Sequence, residues 1–192
     1  MIELISRNRE PIANFMWRIC QVLVKDGINF LIFLVAAKLL VPYEFGIYNY
    51  VMALVFFFIL FGDFGISVAA SKFVAEYDAT DRDKIGYVFF NCALIIVLFS
   101  AACCLLLLLA GPRFLEAYYP YVLCVMPTLF FAPLTSLYDG IYRGLRQFKK
   151  LSIISMTTGF VSLVLIYFLI QSYGLWGTLL AQNLFYFLLL IG

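Results

Sequence analysis

Histidine does not occur among the 192 residues of this chain. Its absence removes His-containing triads, imidazole metal sites and the kinase catalytic loop, so Asp63-Phe64-Gly65 is not part of a kinase. Charge is also scarce: 12% of the residues are Asp, Glu, Lys or Arg, where a soluble domain carries roughly a quarter. A net charge of +2 says nothing about an anionic partner, because in such a chain the placement of basic residues matters and not their sum. Nucleotide-binding G-x-x-x-x-G-K-[ST], the G-x-S-x-G nucleophile elbow, zinc-ligand spacings and paired carboxylates in a soluble pocket are all missing. No enzyme, cofactor or metal centre is expected. Cysteine is limited to Cys20, Cys92, Cys103, Cys104 and Cys124, with no C-x-x-C spacing, and these read as small buried hydrophobes.

What the chain has is hydrocarbon, at 65% hydrophobic residues. A bilayer core about 30 Å thick needs roughly 20 residues of helix to cross it, and six runs qualify: 14–40, 46–71, 86–109, 119–139, 151–171 and 175–192. Backbone polar groups in lipid must be satisfied within the segment, so each run is expected to be helical. The expected fold is all-α, a polytopic membrane protein whose six transmembrane helices form one bundle and one domain over 1–192. Glu3, Arg7, Arg9 and Glu10 precede the first run, and Lys25 and Asp26 interrupt it, which argues against a cleaved signal peptide.

The links between runs alternate in charge. The N-terminus holds Arg7 and Arg9, the second link Arg82 and Lys84, and the fourth link Arg143, Arg146, Lys149 and Lys150, whereas the intervening links hold only Arg113. Eight basic residues against one predict that the N-terminus and the second and fourth links face the cytoplasm. Arg143-Gly-Leu-Arg-Gln-Phe-Lys-Lys150 is therefore a topological signal at a helix end, and no nucleic-acid partner is expected. The sixth run reaches Gly192 without a polar stop, so the chain reads as the N-terminal bundle of a longer, two-lobed protein.

Ionisable groups in the apolar runs are costly, about 2.5–3.5 kcal/mol at a helix centre on insertion scales, and must face protein or water. At 100° per residue, Asn14, Arg18, Gln21, Lys25 and Asn29 fall within an arc of about 80°, a polar stripe down the first helix. Lys25 lies roughly 10 Å deeper than Arg18 at 1.5 Å per residue, and Asp26 sits at the stripe's edge. In the second run Asn49, Asp63, Ser67 and Ser71 share a sector, with Gly62 and Gly65 flanking the aspartate. Asp63 is expected either to line a water-filled cavity or to bond a neighbouring helix; the glycines allow close approach or a local break. The fourth run carries Pro127 and Pro133, which bend helices, and places Thr128, Thr135 and Asp139 on one face. The third run, broken only by Asn91 and Ser100, is expected against lipid. Ser155, Thr158, Ser162, Thr178 and Gln182 read as interhelical packing groups.

Several stretches resemble one family. Leu40, Glu44, Phe45 and Gly46, followed by Gly62, Asp63, Gly65 and Lys72, are similar to the Leu-x-x-x-(Asp/Glu)-(Phe/Tyr)-Gly and glycine-rich motifs around the second helix of bacterial polysaccharide flippases. Gly144, Phe148 and Lys149 resemble that family's link after its fourth helix, and GLWGTLLAQ the opening of its sixth. The family is part of the multidrug, oligosaccharidyl-lipid and polysaccharide exporter superfamily. The resemblance implies two bundles around a central cavity, multi-pass in the bacterial inner membrane, that flip an undecaprenyl-pyrophosphate-linked saccharide by alternating access during polysaccharide (lipopolysaccharide, O-antigen) biosynthesis. It implies as partners the lipid-linked oligosaccharide, membrane lipids and polysaccharide polymerase or assembly proteins.

On that reading Arg18, Lys25 and Asn29 are the candidate substrate-binding residues, since Arg and Lys attract phosphate oxygens. Asp26, Asp63 and Asp139 are the candidates for ion coupling or gating. Two rival expectations remain: a multidrug or cation antiporter of the same superfamily, whose cavity should be acidic, and a membrane scaffold in which the polar stripes only pair helices.

Overall fold

The computed structural model describes the backbone of residues 2–191 and the side chains of residues 16–191. The Asn14 side chain of the expected stripe, and those of Glu3, Arg7, Arg9 and Glu10, lie outside the described residues. Among the described residues the chain is helical throughout and contains no strand.

The helices are α1 (Ile2–Leu39), α2 (Pro42–Asp63), α3 (Ile66–Thr80), α4 (Lys84–Phe114), a 3₁₀ turn (Glu116–Tyr118), α5 (Tyr119–Val125), α6 (Thr128–Gly144) and α7 (Phe148–Ile191). Five stretches are long and apolar enough to cross a membrane: Met16–Leu39, Pro42–Thr80, Lys84–Phe114, Glu116–Gly144 and Phe148–Ile191. Four match single runs of the sequence. The fifth carries the last two runs and breaks at Gly174, whose φ of 54° and ψ of −127° are not helical and suit a residue without Cβ. A Cβ on Gly177 would collide with the Leu169 carbonyl oxygen, although in a continuous helix the two residues would stand about 12 Å apart along the axis. The chain therefore reverses at Gly174, and the two arms of α7 cross in opposite directions.

The second run is also broken. Phe64 (φ 41°) and Gly65 (φ 81°) are both left-handed and separate α2 from α3. In the fourth run Pro127, which has no N–H to donate, separates α5 from α6, while Pro133 stays inside α6. Polar groups fill that second interruption. Asn183 of α7 donates to the Cys124 carbonyl at 2.6 Å, and the Thr128 hydroxyl meets the Asn183 side-chain oxygen at 2.6 Å.

Apolar residues at four-residue intervals on α1, Ile28, Ile32 and Ala36, are buried together with Leu40 just past its end, and seat that helix along α7. Gly159 of α7 allows the approach, since a Cβ there would meet the Ile28 side chain, and Ser152 donates to the Trp17 carbonyl at 2.8 Å. The α3–α6 contact is closer still. A Cβ on Gly140 would collide with the Ser67 carbonyl, and one on Gly144 would lie 2.7 Å from the Ser71 carbonyl. This is small-xxx-small packing, with Gly140 and Gly144 facing Ser67 and Ser71. Because Ser67 pairs with Gly140 and Ser71 with Gly144, α3 and α6 run parallel and end at the same side of the bundle. The links after α3, with Arg82, and after α6, with Arg146, therefore lie on that same side. The opposite side holds the α1–α2 link, Arg113 and the Gly174 reversal. On α4 Phe90, Leu94, Leu98, Leu105 and Leu109 form an exposed apolar stripe suited to lipid, while Ser100 is buried at the crossing with Gly62 and Pro133.

Candidate functional site

The polar stripe of α1 points at α6. Arg18 lies one turn from Gln21, and its guanidinium hydrogen-bonds the Gln21 side-chain oxygen. Both then meet Asp139 of α6: Gln21 Nε2 donates to Asp139 Oδ1 at 2.8 Å, and Arg18 Nη1 reaches the same oxygen at 3.3 Å. One turn further along α6, Arg143 Nε stands 3.4 Å from Asp139 Oδ2 and donates to the Asp139 backbone carbonyl at 3.2 Å. A single carboxylate thus sits between two guanidinium groups. Its side chain is 13% exposed, against 30% for Arg18 and 28% for Arg143. Such partly desolvated, charge-assisted contacts fix side-chain direction more firmly than an exposed pair does.

Beside this cluster a cavity of about 210 Å³ opens between α1, α6 and α7. Gln21 and Lys25 enter it from α1; Thr135, Tyr138, Asp139 and Tyr142 from α6; Ile154 and Ser155 from the first arm of α7; and Leu189 and Leu190 from the second. Lys25 is half-buried here and has no ion-pair partner among the described residues. Among the described residues Lys25 and Asp139 are the charged groups that line the cavity, and the carboxylate is already held by Arg18 and Arg143, which leaves the lysine free to meet an anion.

Other expected residues lie elsewhere. Asn29, one turn beyond Lys25, is half-buried and does not line the cavity. Asp26 is exposed on the flank of α1. Asp63 lies outside this cavity and is engaged locally: it accepts from the Ser67 backbone N–H at 3.0 Å and from the Ser67 hydroxyl at 2.8 Å. The break at Phe64 and Gly65 leaves the first N–H groups of α3 without intrahelical partners, and Asp63 caps one of them. Asp63 thus bonds to Ser67, four residues on within the same run. Thr158, Ser162 and Thr178 bond carbonyls of their own helix, to Ile154, Thr158 and Gly174, so they tie no neighbouring helix through those bonds.

Sequence reasoning gave Arg143 only a topological role and overlooked Tyr138 and Tyr142. The signal was present. Arg143 lies four residues after Asp139, the spacing at which helical ion pairs form, and Thr135, Tyr138, Asp139 and Tyr142 fall on one side of α6.

No ordinary soluble domain combines apolar crossing helices with a half-buried charge cluster; this is a multi-pass membrane protein with a polar cavity at one end of its bundle. The chain belongs to the polysaccharide biosynthesis protein family, which it matches over residues 12–192. A relative described as an uncharacterized membrane protein, from Methanocaldococcus jannaschii, is 28% identical over 168 residues, covering 85% of this chain and 40% of that protein. The chain thus spans less than half the length of that relative. No solved structure gives a match.

Proposed function

We propose that this chain is the N-terminal bundle of a flippase that moves an undecaprenyl-pyrophosphate-linked saccharide across a bacterial inner membrane by alternating access, without enzymatic chemistry. The basic end of the bundle, with its N-terminus and second and fourth links, faces the cytoplasm. The observation that carries this reading is the cavity beside Lys25: a cation without an ion-pair partner among the described residues, sharing a cavity with an Asp139 whose charge is taken up by Arg18 and Arg143. A half-buried lysine without a counter-ion among the described residues suits a pyrophosphate, whose oxygens accept several N–H donors at once. It does not suit a cation or cationic drug, for which acidic groups would have to predominate.

Lys25 receives the headgroup in the cavity, Arg18 and Asn29 flank it one or two turns away along α1, and Asp139 links its arrival to the α1–α6 contact. Asp26 and Asp63 serve coupling, Asp63 by holding the α2–α3 break in one arrangement.

The test is flipping of a fluorescent polyprenyl-pyrophosphate saccharide by the whole protein in proteoliposomes. Lys25→Ala is expected to slow flipping at least tenfold, while Lys38→Ala, exposed at the far end of α1, leaves the rate within twofold. Wild-type rates in both Lys25→Ala and Asp63→Ala would sink the reading, and a protein that flips nothing would leave the scaffold role.

A further inference from the structure

The apolar interior is divided in two. The larger core joins Ile32 of α1, Val55 of α2, Leu129 of α6 and Leu179 of α7, and reaches α4 at Cys104 and Leu107. The smaller core joins Ala70 of α3, Ile96 of α4 and Leu137 of α6, with Ile66, Phe89 and Leu134 packed against it. Small residues separate them where α2, α4 and α6 cross: a Cβ on Gly62 would stand 3.0 Å from Pro133 Cγ and 3.2 Å from Ser100 Oγ. The Ser100 hydroxyl is buried in this layer with no hydrogen-bond partner among the described residues. An unpaired buried hydroxyl costs about 1–3 kcal/mol, so the join between the two cores is held less well than either interior.

The backbone bends at the same level. α2 ends at Asp63, Phe64 follows with a φ of 41° that is unfavourable for a residue with a Cβ, and Gly65 (φ 81°) starts α3 in a new direction. Pro133, at the Gly62 crossing, removes a hydrogen bond from α6. Beyond this layer α3 and the second half of α6 are clamped backbone to backbone by Gly140 on Ser67 and Gly144 on Ser71. The far end of α6 joins α7 through residues 145–147, where Arg146 is again left-handed (φ 57°). Toward α1 the connection is of another kind. There the polar cavity lies between the helices, and the side chains of Arg18 and Gln21 bridge it to Asp139.

We infer that α3, the first half of α4 and the second half of α6 form a lever inside the bundle, pivoting at residues 62–65, Ser100 and Pro133, and that the contact of Arg18 and Gln21 with Asp139 is the latch holding it over the polar cavity. Asp63, bonded to Ser67 across the break, braces the latched position. α4 passes through both cores unbroken, so the lever bends about Ser100 and does not detach there. Opening the latch widens the cavity beside Lys25, and an anion that draws Arg18 away from Asp139 favours the open arrangement. This goes beyond the transport reading above: rocking of two whole bundles leaves each of them rigid, whereas the lever moves within a single bundle. α3 is 15 residues long, roughly 22 Å, so a tilt of about 15° moves its end by about 6 Å.

The test measures spin-label distances by electron paramagnetic resonance on the whole protein in nanodiscs, in a background lacking the native cysteines. One pair, Leu23→Cys on α1 and Ala75→Cys on α3, spans the latch; the other, Ala75→Cys and Tyr87→Cys on α4, lies within the lever, and all three positions are exposed. Asp139→Asn breaks the latch, and Gly65→Ala disfavours the left-handed turn. Each is expected to add a second distance between positions 23 and 75, displaced by about 6 Å, with the distance between positions 75 and 87 unchanged, which also reports that the lever remains folded. Phe64→Gly relaxes the turn and, combined with Asp139→Asn, should reduce the second population at least threefold. An unchanged distance between positions 23 and 75 in both single variants would overturn the lever. An equal change between positions 75 and 87 would overturn it as well, since α3 would then move alone. Either result leaves the binding of an anion beside Lys25 standing.

Discussion

Asp139 is the residue on which the polar side of the bundle turns. Replacing it with Asn removes the counter-charge between Arg18 and Arg143 and leaves two cations facing a neutral amide. Exposed pairs contribute under about 1 kcal/mol and breaking a fully buried one costs roughly 3–5 kcal/mol, so this part-buried cluster should lose about 1–3 kcal/mol. Unfolding of purified Asp139→Asn is expected to show that loss, whereas Asp26→Asn, exposed and in no ion pair among the described residues, stays within about 0.5 kcal/mol. Asp63→Ala should cost about 1 kcal/mol through the lost cap on α3, measured the same way. The i,i+4 spacing of Asp139 and Arg143 was legible in the sequence. The pairing of Asp139 with Arg18 was not: a separation of 121 residues is closed only by tertiary packing.

Helices meet here through small residues more than through polar glue. Gly140→Ala would push a methyl group into the Ser67 carbonyl and force α3 and α6 apart, at about 1–3 kcal/mol as for other overpacked sites. Gly27→Ala, where a Cβ meets nothing within 4 Å, should be neutral or slightly stabilising through better helix propensity. Comparing the two variants in one denaturation assay checks the assignment. Element positions were largely readable, because a run of some 20 apolar residues leaves the backbone few options. The reversal at Gly174 fell between two runs already separated in the sequence. The break at Phe64 and Gly65 was foreshadowed by the flanking glycines only as one of two options, since hydrophobicity does not distinguish a straight helix from a broken one. Gly140 and Gly144 were present as a G-x-x-x-G, but they lie where the basic link begins and were read for charge.

For the whole molecule, the alternation of links follows from the parallel run of α3 and α6, and the excess of basic residues on one side sets the expected orientation. Single cysteines at Gln147 and Ser172, in the two opposite links, should label with an impermeant thiol reagent from opposite sides of the membrane, position 147 from the cytoplasmic side. What the sequence could not convey is that the α1 stripe, Asp139 and the end of α7 enclose one cavity, because this depends on how the second arm of α7 returns. The central claim is that Lys25 faces water in that cavity. In a background lacking the five native cysteines, Lys25→Cys should react with a charged methanethiosulfonate reagent at least tenfold faster than Leu34→Cys or Leu94→Cys, both of which are exposed on apolar faces. Labelling at position 25 no faster than at positions 34 and 94 would mean that the site is dry, and the account of a headgroup cavity would be wrong.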